Sequence, residues 1–244
     1  MPTTRLLTID PSEIAPIVLL PGDPGRAEMI ADTRFQDAKE FVRKREFLGF
    51  TGVANGVRVS VLSTGLGAPG AGMMIEDLAL LGARMLIRVG TAGSVQEQVR
   101  PGDLVLASGA VREEGLTIQH IPAVFPAVSD PGVLAALMAA AGKWNGAASC
   151  HTGIVHTCDA FRSPRLQAEM ELYQAAGVLA YEMETSAVLA LAQLRGLRAA
   201  AVLAIDGYAS RVLQGDVVPD AQARDRAIGE MIDLVVSALP DLEV

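Results

Sequence analysis

Two arginines sit where a lone cation needs a partner or a ligand. Arg26 closes PGDPGR, after the apolar run Ile17 to Leu20 and a turn built on Gly22 and Gly25. Arg88 is the single charge in the apolar run Met85 to Val89, which leads directly into Gly90-Thr91-Ala92-Gly93. Glycines after a strand let backbone N–H groups turn toward an anion, and a guanidinium offers a planar fork that matches phosphate oxygens. Arg26, Arg88 and the Thr91 hydroxyl can therefore face one anion. The alternative for Arg88 is a strand-end cation that points to water or pairs with a carboxylate, since burying it unpaired is costly.

A second group lies in YEMETSAV, where Glu182 and Glu184 flank Met183 between an apolar strand and an alanine-rich helix. Acids at a helix N-terminus interact favourably with its dipole, which is one use for the pair. The other is chemical, because a buried carboxylate can accept hydrogen bonds from two vicinal hydroxyls such as those of a ribose. An anion site at one end and a diol site at the other describe a sugar phosphate.

Strand-like runs recur at Ile17–Leu20, Val57–Ser63, Met85–Val89, Leu104–Ala107, Val178–Tyr181 and Ala200–Ile205, with helical stretches at Gly70–Ala83 and Thr185–Gly196. This alternation predicts α/β layering around a mainly parallel sheet, whose strand ends carry ligands. Ser63-Thr64-Gly65-Leu66-Gly67 is a third small-residue strand end. Apolar positions at helical spacing over Pro219–Leu239 predict a packing helix at the C-terminus.

The 244 residues are half apolar and 4% aromatic, enough for one domain over residues 1–244. A net charge of −8 argues against a nucleic-acid or anionic-membrane surface. Cys150 and Cys158 form no metal-ligand or disulfide framework, and His120, His151 and His156 lack zinc-site spacing, so no metal is expected. With neither a leader-like N-terminus nor a membrane-length apolar run, the expectation is a soluble cytoplasmic protein. There is no nucleophile elbow, P-loop or dinucleotide fingerprint.

PGDPGR, REFLGFTG, STGLGAPG, IRVGTAGS, PGDLV, CDAF, YEMETSA and RGLRAA occur in the order found in the nucleoside phosphorylase I family, from about Val18 to about Ile205. This family includes uridine phosphorylase and the hexameric bacterial-type purine nucleoside phosphorylase. The resemblance implies a single-domain, three-layer αβα fold with a central mixed, largely parallel twisted sheet. It also implies reversible phosphorolysis: phosphate attacks C1′ of a nucleoside, releasing the base and forming (deoxy)ribose 1-phosphate. Phosphate is then a co-substrate, and no metal or organic cofactor is implied.

Carried over by position, Gly22, Arg26, Arg45, Arg88 and Thr91 resemble the family's phosphate binders, with Arg45 lent to a neighbouring subunit in a hexamer built from dimers. Met183 and Glu184 would hold the ribose. Phe161 and Gly93 would line the base, although Phe161 also reads as a packing residue and Arg43-Lys44-Arg45 as a solvated charge run. The catalytic assignments are Arg88 and, as a general acid, Asp206.

Three departures bear on the base and the ribose. The family's N-terminal histidine is missing from MPTTRLLT, leaving its 5′-hydroxyl contact unassigned. Purine-type enzymes carry their proton-donating aspartate where an ungapped match places Gly207, one position after Asp206. Uridine-type enzymes carry Gln-x-Arg after the phenylalanine, whereas Arg165 and Gln167 stand here in exchanged order, either reading the base or simply solvated. The balance leans to uridine, with purine nucleosides as the alternative. A water-using nucleosidase and a non-catalytic binding protein are the remaining readings.

Overall fold

Strand β1 (Ile17–Leu20) is buried on both faces, so its side chains alternate between two cores. Ile17 and Leu19 enter one cluster, and Val18 and Leu20 the other. The computed structural model describes residues 4–161, 163, 165–209 and 221–243, apart from the side chains of residues 166 and 167. The expected first residues of the C-terminal helix fall outside that range.

After β1 come α1 (Pro24–Arg34), β2 (Gln36–Lys44), β3 (Phe47–Ala54), β4 (Val57–Leu62) and α2 (Ala68–Leu80). Next are β5 (Met85–Ser94), β6 (Leu104–Glu113), β7 (Ala127–Val128), α3 (Pro131–Gly142) and β8 (Cys150–Cys158). The chain closes with α4 (Leu166–Ala175), β9 (Ala180–Glu182), α5 (Thr185–Leu194), β10 (Arg198–Tyr208) and a last helix, α6 (Ala221–Ala238). Residues from α1, α3 and α6 pack on one face of the sheet, and residues from α2 and α5 on the other. That is the expected three-layer α/β arrangement.

The sheet is mixed. Strand β1 runs parallel to β4 and β5, β5 to β10, and β8 to β6 and β9, while β2–β3, β3–β4, β6–β10, β5–β9 and β6–β7 are antiparallel. Because β5 pairs with both β10 and β9, the strands β5, β10, β6, β8 and β9 form a closed hydrogen-bonded circuit. Strands β1, β4, β3 and β2 extend from it, with β2 terminal.

Four strands, β2, β3, the two-residue β7 and β8, lie outside the runs expected from the sequence. Strand β2, QDAKEFVRK, is polar and largely exposed and so carries no apolar signal, whereas β3, FLGFTGVA, is largely buried but interrupted by Gly49 and Gly52. Strand β8, CHTGIVHTC, lacks clean alternation because it lies inside the circuit, between β6 and β9. Helix α2 begins at Ala68, earlier than expected, with Pro69 inside its first turn. Pro is tolerated there because the first-turn N–H groups have no partner within the helix.

Candidate active site

A cleft of about 770 Å³ is lined by the carboxyl-terminal parts of β5, β9 and β10 and by the turns that follow β1 and β4. Its walls include Gly22, Arg26, Arg88, Thr91, Gly93, Phe161, Met183, Glu184 and Asp206. Residues as far apart in the chain as Gly22 and Ala209 thus share one cavity. The turns after β1 and β4 are joined by Thr64 N–H to the Pro21 carbonyl at 2.9 Å and Gly65 N–H to the Gly22 carbonyl at 3.0 Å. Gly65 has φ 71°, a left-handed backbone that suits glycine.

Strand periodicity explains where Arg88 points. Met85, Ile87 and Val89 pack toward the α1 side, so Leu86 and Arg88 face the α5 side. There Arg88, 3% exposed, meets the start of α5. Its Nε donates to Oε2 of Glu182 at 2.9 Å and lies 3.3 Å from the Thr185 hydroxyl, while Nη2 pairs with Oε2 of Glu184 at 2.5 Å. The carboxylate-paired alternative for Arg88 is therefore realised, and it coexists with a position on the cleft wall. The two carboxylates outweigh the cost of burial and push the Arg88 pKa up. Gly90 makes room for this fork, since a Cβ there would lie 2.7 Å from Arg88 Cζ.

For Glu182 the helix N-terminus use is realised, and the structure makes this residue a hub. Its Oε2 accepts from Arg88 Nε and from the backbone N–H groups of Glu184 and Thr185 at 2.9 and 2.8 Å. Its Oε1 accepts from the Thr157 hydroxyl at 2.5 Å, across a register that pairs Thr157 with Glu182. Two acids beside Met183 at a strand end were the only signal, and the partner threonine had none. Glu184 Oε1 accepts from Gly67 N–H at 2.5 Å, and burial pushes its carboxyl upward in pKa. Glu184 thus combines a buried location with partners that a diol can replace.

Arg26 reaches the cleft from the first turn of α1, with Nη1 donating to the Val89 carbonyl at 3.1 Å. Burial, and then the proximity of Arg88, lower its pKa. An added anion relieves both effects. Asp206 occupies a bulge in β10: Ile205 pairs with Ala92 and Gly207 with Gly93, leaving Asp206 without a counterpart. Both Asp206 and Gly207, the two positions between which the sequence left the aspartate's place open, line the cleft. Burial pushes the Asp206 carboxyl up from the ordinary carboxylate range, against the opposing pull of Arg224 and Arg26.

The base-side residues are less uniformly gathered. Phe161 is 62% exposed on the cleft wall, beside Cys158 and Tyr181. Arg165 does not line the cleft; its side chain is 84% exposed and pairs with Glu169 at 2.8 Å, as an i, i+4 pair on α4 does. The Gln167 side chain lies outside the described residues. Arg45, with φ 56°, lines a separate cavity of about 500 Å³ together with Arg5, Phe47 and Met73. Glu46 lines both cavities. Among the described residues no cluster of His, Cys, Asp and Glu is arranged to hold a metal ion, and no helix is long and apolar enough to cross a membrane.

The family model of the phosphorylase superfamily matches residues 16–239, a span that contains every residue of this cleft. The chain belongs to the phosphorylase superfamily. It is 36% identical to the uridine phosphorylase of Treponema pallidum (strain Nichols), covering 93% of this chain and 92% of that one. The crystal structure of uridine phosphorylase from Vibrio fischeri ES114 superposes with a TM-score of 0.90 at 27% identity, over 99% of each chain. That of purine nucleoside phosphorylase from Toxoplasma gondii, in complex with immucillin-H, also gives 0.90, at 32% identity over 98% of this chain and 95% of that one. Superfamily members named for pyrimidine and for purine nucleosides thus match this fold equally well.

Proposed function

We propose that the protein is a nucleoside phosphorylase, a pentosyltransferase that moves the sugar of a nucleoside from its base to inorganic phosphate, with uridine as the preferred substrate. One observation carries this reading: Arg88 joins an anion-binding edge, shared with Arg26 and Thr91, to the buried carboxylate of Glu184. The names of several relatives at 32–37% identity support uridine.

In this mechanism phosphate is held by Gly22, Arg26, Arg88 and Thr91 under C1′. Glu184 accepts the ribose hydroxyls while Met183 packs against the sugar. As the bond from C1′ to the base nitrogen lengthens, the sugar becomes oxocarbenium-like and the phosphate dianion stabilises it. A phosphate oxygen then bonds to C1′, and the electron pair of the broken bond leaves with the base, which takes up a proton. The protein supplies positioning and charge, and phosphate is the co-substrate in place of any metal or organic cofactor.

A third cation comes from outside the subunit in this reading. Arg45 lies off its own cleft, which supports its loan to a neighbour in a hexamer built from dimers. We place the enzyme in nucleoside salvage in the cytoplasm. A purine reading is favoured by one observation, the bulge that turns Asp206 into the cleft with a raised pKa, where a neutral carboxyl can protonate a leaving purine.

Base release from uridine, inosine, adenosine and guanosine, each with and without phosphate, tests the proposal. Phosphate-dependent release from uridine is expected. Release that ignores phosphate would make the chain a nucleosidase, and release confined to purines would assign the proton transfer to Asp206.

A further inference from the structure

His156 is fully buried, yet none of the chemistry above uses it. It lies on β8 directly beside Tyr181 of β9 in the parallel register, with ring centroids 4.2 Å apart at 63°. Its other side stacks on Tyr173 of α4 at 4.7 Å. Nε2 lies 2.9 Å from Oε2 of Glu113, the last residue of β6, and the Tyr173 hydroxyl donates to Oε1 of the same carboxylate at 2.5 Å. One histidine therefore ties together β6, β8, β9 and α4.

What these anchors enclose gives the cluster its meaning. Residues 159–165 connect the end of β8 to the start of α4, and Phe161 of the cleft wall lies in that connection. His156 holds the strand at one end, and Tyr173 holds the helix at the other. Gly115 N–H donating to Asp159 at 2.8 Å adds a tie at the first residue of the connection. Tyr181, held by the histidine ring, itself lines the cleft beside Cys158.

We propose that His156 is a positioning residue for the base half of the substrate, acting through Tyr181 and through the segment that carries Phe161. This rests on the phosphorylase reading above. The Glu113 carboxylate, as acceptor, places the ring proton on Nε2, which leaves Nδ1 as an acceptor, and burial of the ring lowers the His156 pKa, favouring this neutral form. Nδ1 and the Tyr181 hydroxyl are both buried without a hydrogen-bond partner among the described residues. A cluster serving packing alone would have those atoms paired or replaced by carbon. Tyr181 lines the cleft, so the ring that His156 holds sets the stretch of wall against which a base would lie.

The test compares His156→Ala, Tyr173→Phe, Glu113→Ala and Glu113→Gln with the parent enzyme in steady-state phosphorolysis. KM for the nucleoside is expected to rise about tenfold in His156→Ala and severalfold in Tyr173→Phe and Glu113→Ala, with KM for phosphate unchanged. Glu113→Gln, whose amide oxygen still accepts from Nε2–H, is expected to stay near the parent. Equal changes in both KM values, no change in either, or failure of glutamine to outperform alanine at position 113 would overturn the proposal. Uridine and inosine binding is followed calorimetrically in parallel. A chain that binds nucleosides without turnover then still reports on His156 while the phosphorylase reading fails, and absence of all nucleoside binding overturns both.

Discussion

Arg88 Nη2 and Glu184 Oε2 lie 2.5 Å apart, so the cation proposed for phosphate and the carboxylate proposed for ribose form one ion pair. Each substrate competes with the protein's own partner for the group it needs. Glu182 holds Arg88 separately, through Nε at 2.9 Å, and would keep it in place with Glu184 engaged by a sugar.

Arg88→Ala should lower kcat/KM for phosphorolysis by about 100-fold or more, the scale of losing one preorganised charge donor at the reacting group. It also leaves Glu182 and Glu184 buried without their cation, so the melting temperature should fall. Near-normal phosphate dependence in a folded variant would remove Arg88 from the anion site.

Glu184→Gln keeps the shape and removes the charge. The KM for nucleoside should rise about tenfold, while the KM for phosphate stays level or falls, because the charge of Arg88 is less compensated. Steady-state kinetics with each substrate varied in turn separates these effects, and an unchanged nucleoside KM would count against the ribose role.

Gly90→Ala tests the geometry without touching a charge. The new Cβ would lie 2.7 Å from Arg88 Cζ and 2.9 Å from Leu203 Cδ2, so the guanidinium must move. Phosphate KM should rise severalfold. Retention of the parent value would show that the fork tolerates displacement.

Asp206 supplies a pH prediction. Its carboxyl is pushed up in pKa by burial, so the proton-bearing form persists to higher pH than for an exposed aspartate. If that form protonates a leaving purine, purine phosphorolysis falls as pH rises through the raised pKa. Asp206→Asn should then abolish the fall together with most purine activity and leave uridine cleavage within about twofold. A pH profile identical in parent and variant would exclude the role.

Arg45→Ala and Arg88→Ala should each be weakly active alone. If Arg45 serves the neighbouring subunit, co-expression should restore activity, since a mixed dimer contains one site with both arginines. Activity of the mixture equal to the average of the two variants would place Arg45 outside any shared site.

That Arg26, Arg88 and Thr91 would converge was legible in the sequence because a glycine turn after an apolar run, and a charge inside one, are local statements. Arg26, Arg88 and Thr91 share one cleft as expected. Glu182 was less legible, since its role depends on Thr157 and Arg88, which reach it through strand pairing rather than proximity in the chain. The displaced Asp206 could not be resolved by alignment, because a bulge changes which face a residue takes without changing any residue type. The exchanged pair Arg165 and Gln167 was ambiguous for another reason: at the start of α4 a surface ion pair satisfies Arg165 as well as a base would.

From the closed circuit of β5, β10, β6, β8 and β9 an arm of β1, β4 and β3 runs out and ends at β2. That strand displays Lys39, Glu40, Arg43 and Lys44 and is irregular in register at two places. Charge and broken register are how proteins keep an outer strand from recruiting another chain. The hexamer proposed above would therefore be built through side-chain surfaces and not by extending this strand into a neighbour's sheet.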